Sequence, residues 1–300
     1  MQPDAMKRIS VIVCTRNRSA QLETALSSFE SCAVPEGWEA ELVVVDNGST
    51  DDTAAIAGRK PARGSFRITV VREPRPGLSC ARNAGIRQAT GEIIAFTDDD
   101  CQAQADWITS LVRAFGLYPD VDSVFGRVEA TSGADAGRTV AVKTETRGRD
   151  YRYPDMPGRI GHGNNMAFRR QALEKAGPFD EALGAGGPLR AAEDLDMAYR
   201  ILRGGGQVRY EPSCVILHAP RETEAQVRAT HWRNAVGMGA CYGKHALHGD
   251  LFAAKCLFWM MAGLPASADR EAKWLYFWGL PAGVAKRSLH DMKASFGRAQ

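Results

Sequence analysis

Three consecutive carboxylates follow a short apolar run in the stretch GEIIAFTDDDC, at residues 91–101. Asp98, Asp99 and Asp100 repel one another wherever they lie side by side, so a cation is expected to neutralise them. Carboxylate oxygens suit Mg²⁺ or Mn²⁺, and Mg²⁺ prefers few carboxylates together with substrate phosphates. The triplet therefore predicts a site for a metal-bound phosphate ester, with a solvated acidic turn as the alternative.

Alternating strand and helix patterns position this triplet. Short apolar runs rich in Val and Ile predict buried parallel strands. They span residues 8–15, 41–46, 66–73 and 92–97. Helical spacing of apolar residues, as at 22–29, separates them. This βαβαβαβ order predicts an α/β fold with a mostly parallel sheet and helices on both faces.

Polar residues follow the carboxyl ends of these predicted strands. Thr15 and Arg16 follow the first strand, Asp46 ends the second, and the Asp triplet follows the fourth. In open α/β sheets, ligands bind beyond the carboxyl ends of the strands. The pattern therefore predicts that these residues share one rim of the sheet.

Four stretches of the chain together resemble the family 2 glycosyltransferases, which have a GT-A fold. They are SVIVCTRNR, VVVDNGSTDDT, GLSCARNAGIRQATGEIIAFTDDD and AEDLDMAYRI. The likeness covers roughly residues 8–220 in the family's order, and it is specific as a set. It implies a Rossmann-like sheet and an inverting enzyme that moves a sugar from a nucleoside-diphosphate sugar, most commonly a UDP-sugar. The acceptor would be a hydroxyl of a saccharide or lipid-linked saccharide, in cell-surface polysaccharide or glycolipid synthesis.

The resemblance also assigns roles around the donor. Asp46 matches the carboxylate that recognises the nucleotide base, with a turn in DNGST as the alternative. Asp98 and Asp100 match the ends of the DxD motif, where the first faces the ribose and the last holds the metal. Both are metal-ligand candidates, and Asp99 is a donor-binding candidate. Further donor-binding candidates are Thr15, Arg16, Arg82 and Asn83, with a structural ion pair as the alternative for Arg82.

Catalytic and acceptor roles fall in the second half of the chain. Glu193 and Asp194 begin a predicted helix in GGPLRAAEDLDMAYRIL, and the resemblance makes Asp194 the general base. Stabilisation of the helix dipole is the alternative role of this carboxylate. His218 ends a predicted short strand and is a candidate metal ligand, with a structural role as the alternative. The acceptor-site candidates are Trp107, Gly163, Asn164 and Asn165, with core packing (Trp107) and a tight turn as the alternatives.

The last quarter of the chain differs in composition. Residues 226–300 carry ten Lys/Arg against four Asp/Glu, and four of the six tryptophans. This shift predicts a boundary near 225, between a catalytic domain at 1–225 and a helical region at 226–300. The region is expected to lie on an anionic membrane surface, to form a lid, or to contact a second copy. A nucleic-acid partner is not favoured, because apolar residues interrupt the positive charge.

The cysteines and apolar segments indicate the compartment. Seven cysteines without regular spacing indicate reduced thiols rather than a disulfide framework or a zinc site. No secretory signal is recognisable, and no apolar segment reaches the ~18–20 residues that span a bilayer. We therefore expect a cytoplasmic protein, with peripheral contact at the inner face of the plasma membrane as an option.

Three rival functions fit the motifs less well. A sugar nucleotidyltransferase is expected to have a glycine-rich phosphate loop after its first strand, whereas VCTRNRS contains no glycine. A phosphatase with an aspartyl nucleophile would place its DxD after the first strand rather than the fourth. A non-catalytic sugar-nucleotide-binding module would be expected to lose Asp194 or the DxD motif, and both are present.

Overall fold

The computed structural model describes residues 6–58, 66–131, 141–219, 223–262 and 270–296. The strands in these ranges are β1 (Lys7–Thr15), β2 (Trp38–Asp46), β3 (Arg67–Arg72), β4 (Ile93–Asp98), β5 (Cys101–Ala103), β6 (Ser123–Ala130), β7 (Arg149–Tyr151), β8 (Asn165–Arg169) and β9 (Val208–His218). The helices are α1 (Ser19–Phe29), α2 (Thr53–Ala57), α3 (Leu78–Gln88), α4 (Trp107–Leu117), α5 (Arg170–Ala176), α6 (Glu193–Arg203), α7 (Glu224–Leu247), α8 (Leu251–Ala262) and α9 (Arg270–Phe296).

All of these strands belong to one sheet in the order β3-β2-β1-β4-β8-β6-β9-β5, with β7 paired to β9. Six strands, β3, β2, β1, β4, β6 and β9, run in one direction, and β8, β5 and β7 run in the other. The predicted α/β fold with a mostly parallel sheet is confirmed. The four predicted strands are β1 to β4.

Side chains of β1 alternate between two apolar layers, because successive strand residues point to opposite faces. Val11 and Val13 join a cluster with Trp107 of α4. Ile12 joins the other cluster, with Ala84 of α3. Helices therefore cover both faces, which explains why these strands are continuous apolar runs rather than alternating ones.

The strand order reverses at β1, which lies between β2 and β4. Register aligns the carboxyl ends there, with Thr15 opposite Asp46 and Cys14 opposite Asp98. Such a reversal leaves a crevice beyond the strand ends, the usual position of a ligand in this class of sheet. The predicted shared rim of Thr15, Asp46 and Asp98 is therefore present.

The region after β9 is helical, as predicted. Thr223 and Gln226 form a capping box at the start of α7. Glycines allow α7 and α9 to approach closely, since a Cβ on Gly239 would lie 2.1 Å from the carbonyl oxygen of Leu280. None of the helices in the described ranges is both long and apolar enough to cross a membrane. The domain boundary near 225 remains a prediction.

Candidate functional site

The Asp triplet lies where β4 ends and the chain turns into β5. Asp99 is buried, and about a third of the Asp98 side chain is exposed. Because β5 pairs with the end of β9, the backbone N–H of Ala219 donates to the Asp100 carbonyl oxygen over 3.1 Å. This pairing brings His218 Nε2 to 3.5 Å from Asp100 Oδ1. The structure thus brings together two of the predicted metal-ligand candidates, Asp100 and His218. Asp98, at the end of β4, interacts electrostatically with both.

Arg18 is a site residue that the sequence analysis did not single out. It follows β1 in the loop next to β4, and its Nη1 donates to Asp99 Oδ1 over 3.0 Å and to Asp100 Oδ2 over 2.6 Å. Its guanidinium therefore offsets part of the negative charge of the triplet. The sequence feature that could have identified Arg18 is its position as the second arginine of TRNR. This stretch follows β1, which pairs with β4.

The three carboxylates have different proton affinities. Desolvation raises the pKa of Asp98 to about 6 although its side chain is partly exposed, because the walls of the crevice surround it; repulsion from Asp100 adds to this. Burial also raises the pKa of Asp99 to about 6, despite Arg18. Burial opposes ionisation of Asp100 too, but His218 and Arg18 lower its pKa to about 2. Asp100 is therefore the carboxylate most firmly ionised.

Arg82 links the triplet to the other side of the crevice. Its side chain is 2% exposed and lies on α3. Nη1 donates to Glu193 Oε1 over 2.7 Å, and Nη2 donates to the carbonyl oxygen of Gly163 over 3.1 Å. Nη2 also lies 3.6 Å from Asp98 Oδ1. The ion pair considered for Arg82 is therefore present, and it joins β4, α6 and the loop before β8.

Glu193 and Asp194 open α6, as the sequence predicts. Burial raises the pKa of Glu193 more than Arg82 lowers it, and Asp194 adds repulsion. Asp194 is only half-buried, and its Oδ1 accepts a hydrogen bond from the Leu195 backbone N–H over 2.7 Å. A Cβ on Gly163 would lie 3.1 Å from Oδ2 of Asp194, so this carboxylate lies against Gly163.

Two of the predicted acceptor residues, Gly163 and Asn164, lie in the loop before β8, which we call the Gly163 loop. Gly163 lies between Arg82 and Asp194. Asn164 is buried, and among the described residues its side-chain oxygen and nitrogen have no hydrogen-bond partner. An unpartnered buried amide is costly, so Asn164 is available to a ligand that can reach it.

Two of the predicted acceptor residues lie in the core. Trp107 is fully buried in the core, and its indole N–H donates to Asn165 Oδ1 over 3.0 Å. Asn165 is fully buried too, and its amide donates to the carbonyl oxygens of Arg127 and Cys214. Both side chains are occupied in holding the core together, which is the structural alternative considered for Trp107.

The donor-binding candidates near β1 and β2 are more scattered. Arg16 is exposed on the loop after β1, and Thr15 is buried at the strand end. Asp46 is buried, and its Oδ1 accepts a hydrogen bond from the Ser49 backbone N–H, so the turn considered for it exists. Asn83 exchanges hydrogen bonds with the backbone of Phe179 through both ends of its amide. The structure gives Asn83 a loop-anchoring contact rather than a place in the carboxylate cluster.

The carboxylate and imidazole donors fit a divalent cation. Ligand atoms of Asp100, Cys101 and His218 all lie within 4.8 Å of one another. Burial raises the pKa of Cys101 well above its usual value, which leaves its thiol protonated and a poor ligand. Oxygen from Asp100 and Asp98 with nitrogen from His218 suits Mn²⁺, and the carboxylates alone suit Mg²⁺.

A second group of potential ligands, Asp196, Cys241 and His245, lies between α6 and α7. Asp196 is fully buried and already pairs with Lys244 at 2.6 Å and with His245 at 2.9 Å. These contacts hold its pKa well below the usual range despite burial. The group is therefore an ion-pair network that fastens α7 to α6.

Sequence comparison identifies related proteins. Residues 10–177 match the sequence model of a family described as Glycosyl transferase family 2. The glycosyltransferase AglE of Haloferax volcanii is 30% identical over 186 residues, which are 60% of this chain and 59% of that protein. The succinoglycan biosynthesis protein ExoM of Rhizobium meliloti is 29% identical over 225 residues, 73% of this chain and 68% of that protein. The chain thus spans about three-fifths to two-thirds of the length of these curated relatives.

Structural comparison identifies the same fold. The mannosyltransferase PcManGT from Pyrobaculum calidifontis, in complex with GDP-Man and Mn²⁺, has a TM-score of 0.64 at 23% identity, over 95% of this chain and 88% of that one. S. aureus TarS 1–349, in complex with UDP-GlcNAc, has a TM-score of 0.65 at 18% identity, over 93% of this chain and 81% of that one. At this identity the likeness shows the fold alone, and it confirms the GT-A expectation.

Proposed function

Because this chain belongs to glycosyl transferase family 2, we propose that it is an inverting glycosyltransferase that moves a sugar from a nucleoside-diphosphate sugar to an acceptor hydroxyl. One observation carries this proposal: Arg82 holds Asp98 of the triplet on one side and Glu193, next to Asp194, on the other. The candidate site for the charged diphosphate and the candidate general base, Asp194, are therefore neighbours in one crevice.

Asp98, Asp100 and His218 hold the donor end in this proposal. A bound Mn²⁺ or Mg²⁺ would supply positive charge against the diphosphate that leaves. Arg18 contributes fixed guanidinium charge beside Asp100, and Arg82 does so beside Asp98. Hydrogen-bond donors such as these guanidinium groups are already in place when negative charge develops on the diphosphate. They therefore need no reorganisation during the reaction.

Asp194 takes the acceptor proton in this proposal. Its half-buried position leaves the carboxylate accessible, and the Leu195 N–H orients one of its oxygens. Proton removal by a positioned carboxylate makes the acceptor oxygen a better nucleophile toward the anomeric carbon. Attack from the face opposite the leaving diphosphate inverts the anomeric configuration, and no covalent enzyme intermediate is required.

Relatives guide the choice of substrates. PcManGT and TarS were solved with GDP-Man and UDP-GlcNAc respectively, and ExoM is described as a succinoglycan biosynthesis protein. We take a UDP-sugar as the donor, because Asp46 lies at the rim where the resemblance expects the base. A saccharide or lipid-linked saccharide of a cell-surface polysaccharide or glycolipid is the acceptor class.

Calorimetry with UDP, GDP and dTDP, each with and without Mn²⁺, tests the donor site. We expect one nucleotide to bind only with the metal, and Asp100→Ala to abolish that binding. Asp120→Ala is the matched control, because Asp120 is exposed after α4 and outside the crevice. Equal binding with and without metal would contradict the donor assignment.

Asp194→Asn tests the general-base role of Asp194 independently of donor binding. We expect unchanged nucleotide affinity and a fall in kcat on the order of a hundredfold or more, the usual contribution of a general base. The assay measures release of the nucleoside diphosphate from the bound donor with a saccharide acceptor. Wild-type turnover in Asp194→Asn would remove Asp194 from the proposed mechanism.

A further inference from the structure

Helix α9 presents an apolar stripe to the outside of the molecule. Its residues recur every three or four positions, and therefore share one helical face. They are Trp278, Pro281, Ala285, Leu289 and Met292, all of them exposed. Trp278 is 60% exposed, Leu289 54% and Met292 49%. The opposite face, with Gly279, Leu280 and Gly283, is buried against α7, so the stripe does not belong to the core.

Helix α8 has the same imbalance. Ala253 and Cys256 supply its buried face. Its outward side chains are apolar as well: Leu251 is 84% exposed, Phe258 63% and Trp259 41%. A helix that is apolar on all sides is normally covered by protein or by lipid.

The charges beside these faces are positive. Lys286 and Lys293 each directly follow a residue of the α9 stripe, and both are exposed. Lys255 lies on α8 with its Nζ 4.5 Å from the centre of the Trp259 ring. Lysine stems can lie along an apolar surface while the ammonium groups reach outward to a charged layer.

The acidic residues beside these faces are already paired. Among the described side chains of 250–262 and 275–294, the carboxylates are Asp250 and Asp291. Asp250 accepts hydrogen bonds from Tyr199 and Arg203, and Asp291 accepts one from Arg287. The faces thus combine exposed Trp, Phe and Leu with exposed lysines, the composition of helices that lie at a membrane interface.

We propose that the outward faces of α8 and α9 form a docking surface for an anionic lipid bilayer. Charge favours this occupant over a second copy of the chain, because a symmetric dimer through these faces would bring like-charged lysines together. The inference does not depend on the proposed function, since docking needs neither donor nor acceptor. The docking surface is linked to the crevice, because Arg287 of the same helix donates to Asp180 in the loop that leads to Glu193.

Vesicle sedimentation with the full chain tests the docking surface. We expect binding to vesicles of phosphatidylcholine mixed with phosphatidylglycerol to be at least about tenfold tighter than to phosphatidylcholine alone, and to weaken with added salt. Trp278→Ser with Leu289→Ser should abolish it through lost apolar contact. Lys286→Glu with Lys293→Glu should remove the preference for the anionic vesicles.

Leu117→Ser is the matched control, since Leu117 is a 65% exposed leucine at the end of α4. It should bind vesicles as the wild type does, and circular dichroism should show all variants folded. Light scattering without lipid distinguishes the rival occupant. A dimer that dissociates in Trp278→Ser/Leu289→Ser, together with no vesicle binding by the wild type, would overturn the proposal in favour of a second copy. Absence of both dimer and vesicle binding would overturn it as well.

Discussion

The buried Arg82 side chain contacts several parts of the crevice at once. Its guanidinium reaches acceptors on three separate elements while remaining 2% exposed. A planar fork with five N–H donors can do this, whereas an ammonium group is a compact point charge. Arg82 therefore sets the spacing between Asp98 and the Glu193–Asp194 pair.

Arg82→Lys tests whether the planar guanidinium is required at this position. We expect kcat/KM to fall roughly tenfold to a hundredfold and the free energy of unfolding to fall by about 1–3 kcal/mol, because buried acceptors lose their donors. Donor turnover and urea unfolding measure the two effects. Arg87→Lys is the matched control, because Arg87 lies on the same helix with 62% of its side chain exposed. Equal losses in both variants would mean that the fork geometry of Arg82 does not matter.

Asp99 links the site to the pH dependence of stability. Burial raises its pKa from 3.8 to about 6, so between these values the folded chain binds more protons than the unfolded chain. The free energy of unfolding contributed by this group therefore falls as pH rises through that window. Asp99→Asn should remove a slope of at most about 1.4 kcal/mol per pH unit.

Urea unfolding of the metal-free wild type and Asp99→Asn across this window measures the difference in slope. Asp98 is retained in both proteins, and Arg18 keeps Asp100 as a partner. The difference in slope therefore reports the loss of the Asp99 carboxyl together with its repulsion of Asp98 and Asp100. Parallel pH profiles would contradict a raised pKa for Asp99.

The resemblance to family 2 glycosyltransferases singled out Arg82 and the Glu193–Asp194 pair. Residue types alone identified the triplet, because clustered charge must be neutralised wherever it lies. They could not distinguish Asn164, with an unpartnered amide, from Asn165, whose amide is fully used by the core. The two are adjacent in the sequence, and only the three-dimensional contacts separate them. Arg18 was missed for the same reason, since its partners are about 80 residues away.

At the scale of elements, the start of α6 and the loop before β8 form one unit. Gly163 is needed there because of close approach rather than backbone conformation. A Cβ at this position would lie 3.0 Å from Arg82 Nη2 and 3.2 Å from the Asp194 Cβ. A side chain at residue 163 would therefore push Arg82 or Asp194 away by a few tenths of an ångström.

Gly163→Ala should displace Asp194 by a few tenths of an ångström. We expect kcat to fall on the order of tenfold with little change in stability, since orientation of a catalytic group is sensitive to small shifts. Gly158→Ala is the control, because its Cβ would meet only Leu195 Cδ1, at an ordinary 3.8 Å. Steady-state kinetics and thermal unfolding compare the two, and wild-type kcat in Gly163→Ala would refute the tight contact.

Local patterns predicted β1 to β4 and their order of connection, since each strand is an apolar run and helices separate successive strands. They did not predict that β8 would insert between β4 and β6 in the opposite direction. That pairing joins segments about 70 residues apart along the chain, and no turn residue marks it. The rim was therefore predictable, whereas the pairings of β8 and β9 that place Gly163 and His218 beside it were not.

At the scale of the whole molecule, α7 and α9 are fastened to the loop at residues 177–192, which leads to Glu193. Asp180 Oδ2 accepts hydrogen bonds from Lys244 of α7 over 3.0 Å and from Arg287 of α9 over 2.5 Å. Despite burial, these cations hold the pKa of Asp180 below its ordinary value. The loop continues through Gly184, which lies next to the Glu193 side chain. The same loop therefore contacts both the C-terminal helices and the crevice.

Asp180→Ala tests whether this contact matters to the crevice. We expect the free energy of unfolding to fall by about 1–3 kcal/mol, because two partly buried cations lose a shared carboxylate, although Lys244 keeps Asp196. Hydrogen exchange of the backbone amides at 181–192 should accelerate more than that of β1 and β2, and kcat should fall with them. Asp291→Ala, which removes an Arg287 contact within α9 alone, should leave exchange at 181–192 unchanged. If both variants accelerate exchange equally, α7 and α9 stabilise the fold without holding the loop at residues 177–192 in place.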